Sequence, residues 1–494
     1  MKIGELKVEE ILDSRNERTI QATVTTEGGI FIGSAPSGKS KGKYEAPAYR
    51  GSLQDDMEKI NIRMEEILEL DFKIFGDLIK LELLMRRDIG ANSLLALEYA
   101  ILKAMAAEQG KQVWQLINEE ASVMPIPIVN MIGGGSHTKE KIKPDFQEFQ
   151  IIPSKESIVE NKKVIDEIYN IINSKLRWKE WKLFPGKNDE GAYDTKMANM
   201  EVLVFLSQFG EKKGLDVASS EFYKDEHYLY GNPIRILQRE DQIKSMINTV
   251  KNNNLFYLED PVEQEDFSGF VEIMKSTAGT GCMIVGDDLI ATHPERLKKA
   301  INMNAISGVI VKPNQSGSLL EVKKFVEIAK HNGIKTIMSH RSGETDDYIL
   351  ADLAFGFQTD YIKISLGKGR ETKWERLIGI ERSLHGEAQE ILEGAPEIIE
   401  EGEKKAETAE EEVPKERRMK SLEMREMQKN PDRRKEVISE MKTKARQSVY
   451  VDKEKKDKNL AQLGFDKQKY GAKGISRPDL EKDKNKFRYG FEKK

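Results

Sequence analysis

Five apolar runs in the C-terminal half of the chain each end in a residue that can transfer a proton or bind a charged ligand. The runs NLFYLE, CMIVGD, GVIVK, KTIMSH and DYIK end at Glu259, Asp287, Lys312, His340 and Lys363. Successive end residues are 28, 25, 28 and 23 positions apart, which leaves room for a helix and two loops between parallel strands. We therefore expect these side chains to converge at one mouth of a βα barrel.

The run that ends at His340 is followed directly by Arg341 and Ser342. The end of a buried strand gives no packing reason for three different hydrogen-bonding side chains in a row. The segment SHRSGET is therefore predicted to bind a ligand.

The acidic strand ends predict a metal site. Asp216, in KKGLDVAS, joins Glu259 and Asp287 as a third carboxylate at the same mouth. Three converging carboxylates repel one another unless a cation lies between them, and all-oxygen ligands suit a hard ion such as Mg²⁺. Any one of the three alone is more simply an ordinary solvated acid, but their shared barrel register favours the metal site.

The elements that would position these groups form a closed barrel of eight βα units. Less regular members come earlier in the chain: FQEFQII around Glu148, a segment leading to Glu190, and KKGLDVAS. Segments between the runs, such as SLLEVKKFVEIAKHNG, have helical spacing and a closing glycine. The predicted fold class is α/β, with a TIM-like βα barrel over residues 126–394.

A smaller α+β domain is predicted for residues 1–125. TIQATVTTEGGIFIGSA alternates apolar and polar residues before a Glu-Gly-Gly turn and resumes after it, which predicts a β-hairpin. NSLLALEYAILKAMAAEQG predicts a helix with one apolar face that stops at Gly110. This domain would cap the barrel.

The composition limits the cellular compartment and the kinds of partner that we expect for this protein. The 494 residues, of which 38% are hydrophobic, can build two or three domains. The single cysteine, Cys282, cannot form an intrachain disulfide, and no apolar run is long enough to span a bilayer. We expect a cytoplasmic protein that does not bind membranes.

Residues 395–494 are predicted to be a charged C-terminal extension. Positions 401–494 carry 28 Lys and Arg against 20 Asp and Glu, a net charge of +8, whereas residues 1–400 carry a net charge of -13. Because the extension has few aliphatic residues, it buries too little apolar surface to offset its ordering entropy, so we expect a disordered or partly helical tail. A basic tail can bind nucleic acid, although a solvated appendage is the simpler interpretation.

Nine motifs together resemble the enolase family (phosphopyruvate hydratase), in its archaeal-like form and with an atypical C-terminal extension. In chain order they are SGKSKGKYEA, GAN, QEF, DEG, GLDVASSEFY, EDP, DD, VKPNQSGSL and SHRSGET, within roughly residues 1 to 390. None of them is decisive alone, but their order and register are those of the family.

The resemblance implies the reversible dehydration of 2-phosphoglycerate to phosphoenolpyruvate, a hydro-lyase reaction of glycolysis and gluconeogenesis. It implies that Lys312 is the base and that Glu190, in NDEG, is the acid that protonates the leaving hydroxyl. Two Mg²⁺ ions would stabilise the doubly charged carboxyl group of the enolate intermediate. The other implied roles are catalytic for Glu148, His137 and His340, substrate-binding for His137, Glu148, Lys312, Lys363, Arg341 and Ser342, and metal-binding for Asp216, Glu259 and Asp287 at one ion and Ser40 at the other.

Within these roles, the resemblance implies that Arg341 and Ser342 bind the substrate phosphate and that Lys363 binds its carboxylate. It also implies a lid loop, SGKSKG, whose two glycines let it bend over the substrate. Lys39 and Lys41 stand where the family commonly has Ala and Thr, so we expect at least one ammonium group to approach the phosphate or the acidic mouth. The family further implies a homodimer or a larger even assembly.

Two functions of different class follow. The first is a Mg²⁺-dependent enzyme that acts on a small-molecule substrate and has a dispensable tail. The second is the same scaffold used mainly for binding, with nucleic acid engaged through the basic tail. Every implied catalytic position carries a usable residue, which favours the enzyme.

Overall fold

The computed structural model describes residues 1–39, 42–180 and 185–386. The predictions for Ser40, for Lys41 and for the extension from residue 395 therefore lie outside the described residues. Within those residues, no helix combines the length and the apolar character that crossing a bilayer requires.

The N-terminal sheet has three antiparallel strands in the order β1-β2-β3. They are β1 (Glu5–Leu12), β2 (Arg18–Thr26) and β3 (Gly29–Ser34). Thr26 pairs with Gly29 across a two-residue turn. The predicted hairpin is confirmed.

Five α-helices follow this sheet among the described residues of the N-terminal part. They are α1 (Leu53–Ile62), α2 (Met64–Leu68), α3 (Leu78–Met85), α4 (Ala91–Glu108) and α5 (Val113–Ile117). Helix α4 confirms the predicted helix, and Gly110 follows its end with φ of 61°. Its residues from Ala91 to Ala106 are all buried rather than only one face, because α4 packs against β2, β3 and α5. Gly33 permits the close approach of β3, since a Cβ there would lie 2.3 Å from the Ala96 carbonyl oxygen.

The rest of the described chain contains twelve strands. They are β4 (Ile126–Gly133), β5 (Glu148–Ile152), β6 (Tyr193–Asp194), β7 (Lys212–Asp216), β8 (Tyr223–Lys224), β9 (His227–Gly231), β10 (Ile234–Leu237), β11 (Tyr257–Glu259), β12 (Met283–Gly286), β13 (Gly308–Val311), β14 (Lys335–Ser339) and β15 (Tyr361–Lys363). Eight of them close into a barrel in the order β4-β5-β7-β11-β12-β13-β14-β15, because β15 pairs back to β4. The predicted α/β fold with a βα barrel is confirmed.

The barrel differs from the prediction in two strands. Strand β5 runs antiparallel to both of its neighbours, so Glu148 begins its strand and still lies opposite Asp216 at the mouth. The segment leading to Glu190 is not a barrel strand, and β4 is the eighth strand of the barrel instead. Glu190 lies in a turn before the short β6. Alternating apolar residues do not encode strand direction, which is why the pattern missed the reversal.

Nine helices accompany the barrel strands in the described part of the chain. They are α6 (Ile158–Glu180), α7 (Asn199–Ser207), α8 (Arg239–Asn253), α9 (Phe267–Ser276), α10 (Pro294–Met303), α11 (Pro313–Ser316), α12 (Leu319–His331), α13 (Ile349–Gly356) and α14 (Glu371–Leu384). A separate apolar cluster draws on six barrel strands: Ile128, Ile152, Tyr257, Met283, Val285, Ile310 and Ile337. This packed interior holds the strand ends in fixed positions.

Candidate active site

The polar strand ends converge at the mouth of the barrel. They are the last residues of β7, β11 and β15 or the first residues after β12, β13 and β14: Asp216, Glu259, Lys363, Asp287, Lys312 and His340. All except Lys312 are buried. A single polar cavity is lined by most of this group: Asp216, Asp287, Lys312, His340 and Lys363, together with His137, Glu148 and Glu190. The structure therefore brings together groups that are far apart in sequence.

Lys363 lies among the acidic strand ends. Its Nζ donates to Asp216 Oδ2 at 2.9 Å and to the two carboxylate oxygens of Glu259 at 2.9 and 3.0 Å. Glu148 Oε2 lies 3.3 Å from the same nitrogen. Burial alone would lower the pKa of Lys363, but these carboxylates raise it well above its usual value. Lys363 is therefore a fixed cation in contact with two of the three predicted metal ligands.

Lys312 forms an ion pair with Asp287, the third predicted metal ligand. Burial, together with Arg341 and Lys363, opposes the charged form of Lys312, but the Asp287 carboxylate raises its pKa overall. Burial would raise the pKa of Asp287, and Lys312 lowers it overall. The Asp287 carboxylate thus favours the protonated form of Lys312, and a cation that engaged Asp287 would weaken this effect and favour the use of Lys312 as a base.

The mouth contains more carboxylates than ammonium groups. Asp260, Asp287 and Asp288 place one oxygen each within 4.8 Å of one another. Burial, followed by the neighbouring carboxylates, raises the pKa of Asp288 to about 7 and that of Asp260 well above its usual value. Lys312 and Lys363 do not neutralise the negative charge of all these carboxylates. A divalent cation would neutralise more of it, and the oxygen donors fit Mg²⁺. Asp216 and Glu259 face Lys363 instead, so the predicted ligand triad remains a prediction.

Glu190 and Glu148 lie beside His137. His137 Nδ1 is 3.6 Å from Glu190 Oε1 and 4.0 Å from Glu148 Oε1. Asn130 Nδ2 donates to Glu190 Oε2 at 3.1 Å. Burial and then the Glu190 carboxylate raise the pKa of Glu148 to about 7, while burial lowers the pKa of His137. Two carboxyl groups in this setting can share one proton.

His340 lies between this carboxyl pair and a buried arginine. Its Nδ1 is 2.9 Å from Arg370 Nε, and its Nε2 is 4.0 Å from Glu190 Oε1. Burial and then the Arg370 guanidinium lower the pKa of His340 well below its usual value. The imidazole is therefore neutral.

Arg341 and Ser342 are both held by residues from the N-terminal part of the chain. Arg341 Nη2 donates to Glu45 Oε2 at 3.0 Å, and the Lys39 backbone N–H donates to Ser342 Oγ at 2.8 Å. Asn314 accepts from Arg341 Nη1 at 2.5 Å. A bound phosphate would compete with the Glu45 carboxylate for the guanidinium group, because both are oxygen anions.

Gly38 has a steric role that the sequence does not predict. A Cβ at Gly38 would lie 1.8 Å from Arg341 Nη2 and 2.6 Å from Arg341 Cζ. Its φ is outside the left-handed region, unlike that of Gly29. In this structure the glycine is needed because the loop backbone crosses over the guanidinium group.

Lys39 reaches from the lid to two other loops at the mouth. Its Nζ donates to the Ser136 carbonyl oxygen at 3.0 Å and to Asp189 Oδ2 at 3.2 Å. Ser136 and Asp189 are the chain neighbours of His137 and Glu190. The expected approach of a lid ammonium to the acidic mouth therefore holds for Lys39.

Comparison with known proteins decides the family. The profile described as enolase, N-terminal domain, matches residues 3–117, and the profile described as enolase, C-terminal TIM barrel domain, matches residues 121–396. The chain belongs to the enolase family.

Curated archaeal members of the enolase family match the chain over most of their length. The enolase of Sulfurisphaera tokodaii is 35% identical over 404 residues, which cover 77% of this chain and 95% of the relative. That of Metallosphaera sedula is 34% identical, covering 76% of this chain and 95% of the relative. That of Methanosphaera stadtmanae is 33% identical, covering 77% and 97%. The predicted archaeal-like resemblance is confirmed.

Several residues at this enolase-family site were not predicted. Asp260 and Asp288 line the cavity and could have been found, since each is the chain neighbour of a predicted carboxylate. Glu45 lies in the motif KYEA, but nothing local indicates that it contacts Arg341. Arg370 has no sequence signal, because its imidazole partner is thirty positions earlier on another element.

Proposed function

We propose that the chain catalyses the reversible dehydration of 2-phosphoglycerate to phosphoenolpyruvate, as a hydro-lyase of glycolysis and gluconeogenesis. One observation carries the proposal beyond family membership. Lys312 and the Glu190–Glu148 carboxyl pair line the same buried cavity as Arg341 and Ser342. A base, an acid and a phosphate-binding pair are thus available to one small, anionic substrate.

Lys312 is proposed as the base that removes the proton from C2 of 2-phosphoglycerate. The electron pair of the broken C–H bond moves into the neighbouring carboxylate and forms an enolate with two negative charges on one carboxyl group. The fixed ammonium of Lys363 is suitable for binding that carboxylate, because its pKa is raised and it stays charged.

Glu190 is proposed as the acid for the second half of the reaction. When the enolate collapses, the C2–C3 double bond forms, the C3–O bond breaks, and Glu190 gives its proton to the leaving hydroxyl, which departs as water. Glu148 supports this role, because its raised pKa keeps one proton on the pair near neutral pH. His137 and His340 complete the wall beside the leaving group.

Arg341 and Ser342 are proposed to bind the substrate phosphate. A guanidinium group presents a planar pair of donors that matches phosphate oxygens, and a serine hydroxyl adds a short donor. In this structure both side chains are engaged by Glu45 and Lys39. A bound phosphate would therefore compete with the Glu45 carboxylate for Arg341.

Asp216, Glu259 and Asp287 are proposed to hold the first of two Mg²⁺ ions, and Ser40, outside the described residues, to ligate the second. The ions would supply positive charge against the substrate carboxylate and would compete with Lys312 for Asp287. The excess of carboxylates at the mouth supports a divalent cation there, and Asp287 belongs both to the proposed ligands and to the cluster with Asp260 and Asp288.

We further propose a division into residues 1–125, 126–394 and 395–494, a homodimer or a larger even assembly, and a cytoplasmic location. The two family profiles support the first two boundaries, since they match residues 3–117 and 121–396. Light scattering of the purified chain tests the assembly. The alternative of a scaffold used mainly for binding nucleic acid has no support from the comparisons.

The test of the proposed reaction is the ultraviolet absorbance of the enol product. Purified protein is mixed with 2-phosphoglycerate and Mg²⁺, then with EDTA, then with excess Mg²⁺. We expect absorbance to rise, to stop rising on chelation, and to resume on addition of metal. Absence of product from folded protein at saturating Mg²⁺ would contradict the proposal.

A further inference from the structure

Arg370 is a buried guanidinium group with an unusual set of partners. It precedes α14 and has no solvent exposure. Its Nη1 donates to the Lys368 carbonyl oxygen at 2.9 Å, and its Nη2 donates to the carbonyl oxygens of Arg341 at 2.9 Å and Ser342 at 3.1 Å. The Nε–H group points at His340 Nδ1 at 2.9 Å. The partners of the guanidinium are thus three carbonyl oxygens and one imidazole nitrogen rather than a carboxylate.

This contact fixes the protonation of the imidazole. An arginine side chain has only donors and does not lose its proton in proteins, so it cannot accept a hydrogen bond from His340. His340 Nδ1 must therefore carry a lone pair. In a neutral imidazole the proton then resides on Nε2.

The Nε2 atom faces the reacting groups. It lies 4.0 Å from Glu190 Oε1, and within the described residues it has no hydrogen-bond partner although it is buried. His340 itself lines the cavity with Lys312 and Arg341. A buried N–H without a partner is costly, which indicates that it donates to a ligand in that cavity.

We propose that Arg370 is a positioning residue that holds His340 as the neutral Nε2–H tautomer, so that His340 donates a hydrogen bond to a substrate oxygen beside Glu190. The role presupposes the proposed dehydration. It leaves Glu190 as the acid, because a neutral imidazole whose Nδ1 is blocked by a cation does not become an imidazolium that competes for the leaving hydroxyl. Two further bonds from Arg370, to the carbonyls of Arg341 and Ser342, place the phosphate-binding segment in register with His340.

The tautomer is measured directly by NMR of the protein labelled with ¹⁵N at histidine. The chain has six histidines, and the His340 signals are identified as those lost in His340→Gln. We expect an unprotonated Nδ1 and a protonated Nε2 at neutral pH, without substrate or metal. A protonated Nδ1 in the wild type, in either the other tautomer or an imidazolium, would overturn the proposal. This readout is independent of turnover, so it stands or falls separately from the proposed reaction.

Arg370→Lys tests the functional consequence. The shorter side chain keeps a positive charge but not the fork that joins Nδ1 to two carbonyl oxygens. We expect the His340 signals to shift toward a mixture of tautomers, and kcat to fall by about tenfold to a hundredfold with a smaller change in KM.

Arg376→Lys is the matched control. Arg376 is a partly buried arginine within α14, and its guanidinium group pairs with Asp352 at 2.5 Å rather than with His340. The Arg376→Lys variant should leave the His340 signals and kcat unchanged. Unchanged His340 signals and kcat in folded Arg370→Lys would overturn the proposal; if that variant does not fold, the wild-type spectrum decides.

Discussion

Two regions of the active site are built differently. The strand-end groups, Asp216, Glu259, Asp287, Lys312 and Lys363, all stand where barrel strands end, and each contacts a group of opposite charge from another strand. The loop groups, Lys39, His137, Asp189 and Glu190, are held by fewer contacts: the Lys39 side chain is 35% exposed, and His137 Nδ1 has no hydrogen-bond partner within the described residues.

The different construction of the strand-end groups and the loop groups suits two different tasks. Strand ends are fixed by neighbouring strands and a packed interior, which suits groups that must hold large opposing charges at short distances. Loops can adjust when a ligand enters, which suits a lid and an acid that act on the bound substrate. Changes at strand ends should therefore reduce the chemical step, whereas changes in the lid should mainly affect substrate binding.

The largest effect is expected from Lys312→Ala. Loss of the base should lower kcat by about 10²-fold to 10⁴-fold, because a positioned proton acceptor contributes about that factor. The assay is the initial rate of enol absorbance, with circular dichroism to verify folding.

Lys335→Ala is the control for this variant. Lys335 also pairs with an aspartate, Asp360 at 2.6 Å, but it begins β14 at the opposite end of the barrel. Its kcat should equal that of the wild type. Equal losses in the two lysine variants would show that stability, not position at the mouth, determines the effect.

An intermediate effect is expected from Gly38→Ala. The added methyl group would displace the Arg341 guanidinium or the lid backbone. Weakening one charge-assisted hydrogen bond costs about 1.5 to 3 kcal/mol, so KM for 2-phosphoglycerate should rise by about tenfold to a hundredfold, with a smaller change in kcat.

Gly28→Ala provides the comparison for Gly38→Ala, because a Cβ at Gly28 meets nothing closer than 3.5 Å. It should leave KM unchanged. A loss confined to kcat in Gly38→Ala would contradict the binding role of the lid.

The smallest effect is expected from Lys39→Ala. Its ion pair with Asp189 is partly exposed, and such pairs contribute about 0.2 to 1 kcal/mol. KM should rise by less than about fivefold at low salt and converge with the wild-type value as salt screens the pair. Asp189→Asn should have a similar effect, and the double variant should add nothing to the larger single effect. Additive effects would mean that Lys39 acts on the substrate directly.

The difference between strand-end groups and loop groups also explains which features the sequence could predict. The spacing of Glu259, Asp287, Lys312, His340 and Lys363 predicts their convergence, because parallel strands of a barrel share one carboxyl end. The hairpin and helix α4 follow from local patterns in the same way. These features depend on periodicity along a single segment, which a sequence shows directly.

The features that the sequence did not predict depend on contacts between segments. The direction of β5 and the membership of β4 in the barrel are properties of strand pairing. The contacts of Glu45 with Arg341 and of Arg370 with His340 join residues on different elements. Roles for the loop groups came only from the family resemblance, since no spacing rule places a loop side chain.

The measurement that most directly tests the separate roles of the strand-end base Lys312 and the loop acid Glu190 distinguishes proton removal from loss of water. Glu190→Gln and Lys312→Ala are incubated with 2-phosphoglycerate and Mg²⁺ in deuterated water, and proton NMR follows the C2 hydrogen of the substrate. The Lys312 side chain is 16% exposed, so its protons can exchange with solvent. We expect Glu190→Gln to replace the C2 hydrogen with deuterium while forming little phosphoenolpyruvate, and Lys312→Ala to do neither. Exchange by Lys312→Ala at the wild-type rate would contradict the assignment of Lys312 as the base.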